Sequence, residues 1–199
     1  EWARRAGEEY LYQIQAEANI ETLKQYQFDR IVTQCPHCYK TLKHEYPQFG
    51  GNWDVVHHSQ FLEELLSAGR VSPTSQWTAG DVTFHDSCYL GRYNQVYDEP
   101  RLVLGSLPGL NLTELDRSRE RGFCCGGGGG CMWMEHEAGQ RINDVRMEEI
   151  EALGADLVAV SCPFCLVMLD EAASSRNGGA SPDLKDLAEL VAAALVGAQ

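Results

Sequence analysis

Helical patterns of apolar positions cover residues 10–26 and 138–153, and each is followed by a short apolar run of β type, at 31–33 and 157–160. A third such run occupies 82–85. The three runs lead into Cys35, Cys162 and Cys88. After Cys35-Pro-His-Cys38 and after Cys162-Pro-Phe-Cys165 the pattern predicts a helix, then a loop (Gly50-Gly51 and Gly178-Gly179), then a further helix over 59–68 and 182–196. Ser59 is expected to cap the first of these last helices. Ser181, with Pro182 at the first helical position, is expected to open the second. Strand, cysteine turn and helix in succession define an α/β class, with parallel strands presenting their loops at one edge.

The pattern repeats. FDRIVTQCPHCYKTL lies over ADLVAVSCPFCLVML with Cys35 on Cys162, so that Asp29 meets Asp156, Pro36 meets Pro163, Cys38 meets Cys165 and Leu42 meets Leu169. The expected organisation is two related strand–cysteine loop–helix units, the first incomplete. Residues 1–72 are the back half of the first unit, 73–80 a linker within SPTSQWTAG, and 81–199 the complete second unit. In this alignment Glu1 falls on Gly128, which puts the first unit's counterpart of Cys124-Cys125 ahead of Glu1. The chain is therefore expected to be a fragment or a processed product.

Composition narrows the function. The net charge of −13 argues against nucleic acid and against unaided binding to anionic lipid. No apolar run reaches the length of a membrane span, and no signal segment opens the chain. Eight cysteines among 199 residues are too sparse for a disulfide scaffold. Their grouping into Cys35/Cys38, Cys124/Cys125 and Cys162/Cys165, with Cys88 and Cys131 apart, points to metal or redox chemistry in a reducing compartment.

Cys88, Cys124, Cys125, Cys162 and Cys165 come from three loops and exceed what a tetrahedral zinc needs. They suit a cluster of several irons held by thiolates. Adjacent cysteines diverge too much to chelate one small ion, but can serve two irons of a larger cluster. The glycines at 126–130 let backbone approach such a ligand. Amides around Gly126 and Gly127 could hydrogen-bond its sulfurs. No Lys-Ser/Thr follows, so a phosphate loop is excluded. Two competing readings remain: a structural zinc protein, and a dithiol oxidoreductase with Cys35-Pro-His-Cys38 as its active turn. His57 and His58 read as surface or capping residues. His85 reads as a satisfied histidine at a strand end, or as a neighbour of the site, with Asp86 beside it. Arg92 and Arg141 read as surface arginines or as compensation for cluster charge. Met132, Trp133 and Met134 read as helix packing.

These residues carry a resemblance. The cysteine spacing, with FHDSCYLGRYNQVYDEPR, FCCGGGG, MWMEHEAGQRIN and GADLVAVSCPFCLVML, resembles the CCG cysteine-rich domain of heterodisulfide-reductase-like iron–sulfur oxidoreductases. It is most similar to the membrane-linked branch that carries electrons from electron-transfer flavoprotein to quinone. The resemblance implies a non-cubane [4Fe-4S] cluster on Cys88, Cys124, Cys125, Cys162 and Cys165. It also implies a flavoprotein donor, a (mena)quinone-side acceptor, other redox or membrane subunits, and attachment to the cytoplasmic side of a membrane through a partner or an upstream segment. Reduction of a heterodisulfide at the cluster is the alternative activity within the same family, and a non-enzymatic cluster-assembly or sensor module is the alternative outside it. Cys35 and Cys38 would contribute to a second cluster or hold zinc. Ser87 stands where the family often has proline, and Cys131 matches no ligand position.

Overall fold

The structure, a computed structural model, describes every residue except 79, 135–138, 177–180 and 197–199. The expected helix at 138–153 therefore has its start, and the Gly178-Gly179 loop has all of its length, outside the described residues.

The N-terminal helix is two pieces, α1 (Trp2–Arg5) and α2 (Glu9–Leu23). α2 buries Tyr12, Ala16 and Ile20 on one side, at the i, i+4, i+8 spacing of a single stripe. β1 (Arg30–Thr33) runs into α3 (Pro36–Lys40), whose N-cap is Cys35 and whose first residue is the helix-compatible Pro36. α3 is short. It passes into a π turn over Thr41–Glu45 and a 3-10 turn over Tyr46–Phe49, ended by Gly50 at φ +80°. The chain then forms β2 (Asp54–His57), paired parallel with β1, and α4 (His58–Ser67).

The second sheet has four parallel strands in the order β4-β3-β5-β6: β3 (Asp81–Phe84), β4 (Asn111–Leu112), β5 (Leu157–Val160) and β6 (Asp183–Asp186). α5 (Asp98–Gly105) connects β3 to β4. α6 (Ile142–Leu153) precedes β5, α7 (Pro163–Ser174) follows it, and α8 (Leu187–Val196) follows β6. All four residues of β5 are buried, as expected of a central parallel strand covered on both faces. One face carries Phe84, Val103, Leu157, Leu187 and Leu190; the other carries Met147, Ile150, Val158, Val160 and Leu169.

The structure differs from the sequence expectations at four points. The helix expected over 182–196 begins with a strand, β6, and the matching β2 was missed as well. Asp183–Asp186 is DLKD and Asp54–His57 is DVVH, too short and too charged to read as strands alone. His57, not Ser59, caps α4: its Nδ1 accepts from the Ser59 amide, and Gln60 reaches back to the His57 amide. Asp186, not Ser181, opens α8, accepting from the Ala188 amide at 2.9 Å while its own amide donates to Glu189. The fourth point concerns location: of the two readings, surface or capping, His57 takes the second as the cap of α4, and both His57 and His58 are buried. His57 donates through Nε2 to the Gln34 carbonyl (3.2 Å), and His58 Nε2 lies 3.1 Å from Asp186 Oδ1. Equivalent strand ends of the two sheets thus meet at a histidine–aspartate contact. The stretch at 73–80 has no regular structure among its described residues, but it is tied down. The amides of Thr74 and Ser75 donate to Ala194, and that of Trp77 to Pro108.

Candidate metal centre

Each cysteine of the five is placed by a strand end or by a glycine turn. Cys162 is the N-cap of α7, fixed there because Pro163 starts the helix; Cys165 lies on its first turn. Cys88 follows β3 by a few residues, and β3 is hydrogen-bonded directly to β5. Cys124 and Cys125 enter on a loop that turns at Gly126, φ +84°. A Cβ on Gly126 would sit 3.0 Å from Ile142 Cβ, so both space and backbone require glycine there.

The five sulfurs form one connected series: Cys88 with Cys124, Cys124 with Cys125, Cys125 with Cys165, and Cys165 with Cys162. Cys125, Cys162 and Cys165 are buried, and none of the eight cysteines is in a disulfide. The Gly126 amide donates to Cys124 Sγ at 3.3 Å, and the Gly127 amide faces Cys125.

Packing thiols together forces them to share protons. Hydrogen bonds from Cys125 and then Cys88 pull the Cys124 thiol down to about 2, whereas Cys125 is pushed up to about 12 by its contact with Cys124. Cys162 is held low, first by Cys165, while Cys88 and Cys165 are pushed up. Some of the five must stay protonated, because unshielded thiolates at this separation repel one another. A polynuclear cation at the same place removes that repulsion and lets all five ionise.

His85 stands beside this series. It is fully buried, and one of its ring nitrogens lies with Cys125 and Cys165 Sγ in a group whose atoms are all within 4.8 Å of one another. Burial, then the Arg146 charge, drives its pKa down to about 3. Its partner is not among the residues the sequence singles out. Arg146, on α6 and 0 % exposed, donates Nε–H to His85 Nδ1 at 3.2 Å. Arg146 is itself held by Glu149 and the Arg117 carbonyl. Nothing local in the sequence links residues 61 positions apart. Asp86 stands out in the sequence only by its position. It makes a bidentate buried ion pair with Arg101 (2.9 and 2.8 Å) and accepts from the Arg119 amide, which ties the β3 exit to α5 and to the 118–122 loop.

The remaining sequence candidates divide. Arg92 donates to the Gly122 carbonyl and lies near enough to Cys88 to favour its thiolate. Arg141 pairs with Glu171 on the surface, the plainer of its two readings. Met132 packs against the buried cysteines, but Trp133 and Met134 are 76 % and 60 % exposed and do not pack a helix. Cys131 lies in the 3-10 turn Gly128–Trp133, outside the sulfur series.

Cys35 and Cys38 touch each other but do not join the five; Cys38 is exposed. Their link to the site is His37, which lies within hydrogen-bonding reach of Cys162 and stacks on Tyr89 with centroids 3.8 Å apart. Burial opposes its charge, but Cys162 and Glu1 outweigh it and hold the His37 pKa up at about 9. In front of the pair opens a largely apolar cavity of about 590 Å³, walled by Trp2, Leu23, Leu42, Tyr46 and Phe164.

Parallel strands that bring thiols from three separate loops into one partly buried series of neighbours define a thiol-lined metal or redox domain. The cysteine-rich domain family CCG matches residues 1–43 and 82–170, and the chain belongs to that family. It is similar to the "Probable iron-sulfur-binding oxidoreductase FadF" of Bacillus subtilis, 45 % identical over 98 % of this chain and 28 % of that protein. It is also similar to the EtfAB:quinone oxidoreductase of Syntrophomonas wolfei, 41 % identical over 95 % of this chain and 27 % of the relative. A third relative, from the dihydromethanophenazine:CoB--CoM heterodisulfide reductase of Methanosarcina barkeri, is 31 % identical over 90 % of this chain and 44 % of its own length. The chain spans less than half the length of each of these relatives.

Proposed function

We propose that Cys88, Cys124, Cys125, Cys162 and Cys165 hold an iron–sulfur cluster, a non-cubane [4Fe-4S] cluster in particular. The whole protein is an oxidoreductase that uses it to relay electrons from a flavoprotein donor towards a quinone-side acceptor. Residues 81–199 are the complete cluster-binding unit and residues 1–72 the back half of a related one. The single observation that carries this reading is the unbroken series of sulfur contacts among five cysteines from three loops.

The donor set fits the group. Five sulfurs exceed the four positions of a tetrahedral zinc, and two neighbours in sequence, Cys124 and Cys125, both take part. When bound, the cluster supplies reversible one-electron chemistry. The protein's own groups set its terms. The amides of Gly126 and Gly127 withdraw electron density from Cys124 and Cys125, which favours the reduced state. Burial of Cys125, Cys162 and Cys165 keeps water from the sulfurs. Cys35 and Cys38 supply part of a second cluster or hold zinc, and the cavity in front of them leaves room for further ligands.

The names of the relatives support an electron-transfer role and the presence of other redox or membrane subunits. No described helix is long and apolar enough to cross a membrane. Attachment to the membrane's cytoplasmic side, in this reading, runs through a partner or another segment. The test is anaerobic mixing of the full-length, cluster-loaded protein with reduced electron-transfer flavoprotein. Bleaching of the cluster absorbance without turnover of an added disulfide is the expected result. Disulfide turnover would favour the heterodisulfide-reductase alternative, and no response to the flavoprotein would refute the relay.

A further inference from the structure

His85 has one nitrogen accounted for and one not. Arg146 Nε carries a hydrogen at every accessible pH, so it can only donate, and His85 Nδ1 can only accept from it. A neutral imidazole with Nδ1 as acceptor carries its proton on Nε2. That Nε2 is buried and has no hydrogen-bond partner among the described residues, a costly state for a donor in the interior. The ring lies against Cys125 and Cys165, so the open valence of His85 and the sulfurs of the site share one small buried space. Asp86, next to it in the chain, is occupied by Arg101 and the Arg119 amide.

We propose that His85 Nε2–H donates a hydrogen bond to the sulfur set held by Cys125 and Cys165, and that Arg146 makes this possible by fixing the tautomer. The proposal rests on the cluster reading above and adds to it a positioning residue that tunes the site from outside the ligand set. The same tautomer excludes iron ligation by His85. A nitrogen that bears hydrogen has no lone pair to give, so His85 is not a sixth, iron-bound ligand, although its place in a three-residue cluster with Cys125 and Cys165 would suggest one. A donor aimed at sulfur stabilises the added negative charge of the reduced state and raises the potential.

The test uses the full-length, cluster-loaded protein, with His85→Leu to remove the donor and His85→Gln to return one near the Nε2 position. Iron and sulfide are measured first, then the midpoint potential by EPR-monitored redox titration. The expected result is that both variants load as wild type does. His85→Leu shifts the potential negative by about ten-fold in the reduction equilibrium, about 59 mV for one electron, and His85→Gln recovers most of the shift. Pulsed EPR of wild type labelled with 15N-histidine should show a weak nitrogen coupling that His85→Gln lacks. An unchanged potential in His85→Leu, or a coupling as strong as that of an iron-bound imidazole, would overturn the proposal while leaving the cluster reading intact. Failure of both variants to load would mark His85 as a ligand and also overturn it. Wild type without iron and sulfide would overturn the cluster reading, and this proposal with it.

Discussion

Cys35-Pro-His-Cys38 and Cys162-Pro-Phe-Cys165 begin in the same way and end differently. Both follow a four-residue parallel strand, both place the first cysteine at a helix N-cap, and both start the helix with proline. Yet β5 is wholly buried between β3 and β6, while β1, among the described residues, pairs only with β2 and is half open. α7 runs for 12 residues, whereas α3 runs for five before unwinding into π and 3-10 turns. The decisive difference is the neighbour. β3 lies beside β5 and delivers His85 and Cys88, and the glycine loop delivers Cys124 and Cys125. Beside β1 the described residues bring no further sulfur except Cys162, reached through His37. The motif positions two thiols, and the adjoining strand decides whether they join the five-sulfur set.

The largest expected contrast is in iron content. Cys162→Ser or Cys124→Ser should lose nearly all iron and sulfide from the five-cysteine site, whereas Cys35→Ser with Cys38→Ser should leave that site loaded. Loss of its characteristic absorbance in the double variant would erase the distinction between the two regions.

Removing the cluster with a chelator should come next in size. Cluster binding is linked to folding when ligands come from separate loops. Amide exchange should therefore speed up about ten-fold or more at residues 86–92 and 122–130 and change little in α2. Equal acceleration in both regions would contradict the assignment.

Charge burial separates the regions again. Arg101→Met strands the buried Asp86 and should cost about 3–5 kcal/mol in thermal or denaturant unfolding. Arg30→Met breaks exposed pairs with Asp54 and Glu64 and should cost under about 1 kcal/mol.

The smallest effect is pH dependence in the first region. Burial, then the His58 charge, holds the His57 pKa at about 3, against an ordinary 6.5. The unfolded chain therefore binds the extra proton as pH falls below 6.5, and stability drops between 6.5 and 3. Near pH 6 the effect is under about 1 kcal/mol. His57→Gln should flatten this slope in acid-unfolding curves, and an unaltered slope would show that His57 is not the group responsible.

Much of the site could be read from the sequence because its information is local. β5 is a run of four apolar residues, LVAV, and each C-x-x-C carries its own strand and proline, so the repeat shows strands, turns and ligand candidates together. The CCG family assignment agrees with that reading. What escaped was non-local. β2 and β6 are four residues each, and their identity as strands comes from pairing with β1 and β5, not from their own composition. His57 and Asp186 cap helices where serines looked better placed, because strand ends, not propensity, fix where α4 and α8 begin. Arg146 sits on α6 within an acidic-looking helix, and only the folded chain brings it to His85. Trp133 and Met134 looked like packing residues because they are large and apolar, yet the glycine turn leaves them on the surface.

The central claim is that the five cysteines hold an iron–sulfur cluster, and its most direct test is metal and sulfide analysis of the anaerobically purified chain with Mössbauer spectroscopy. The account predicts iron and acid-labile sulfide in equal amounts, with spectra in which the irons are not all equivalent. Zinc without sulfide, or thiols that bind neither metal, would contradict it.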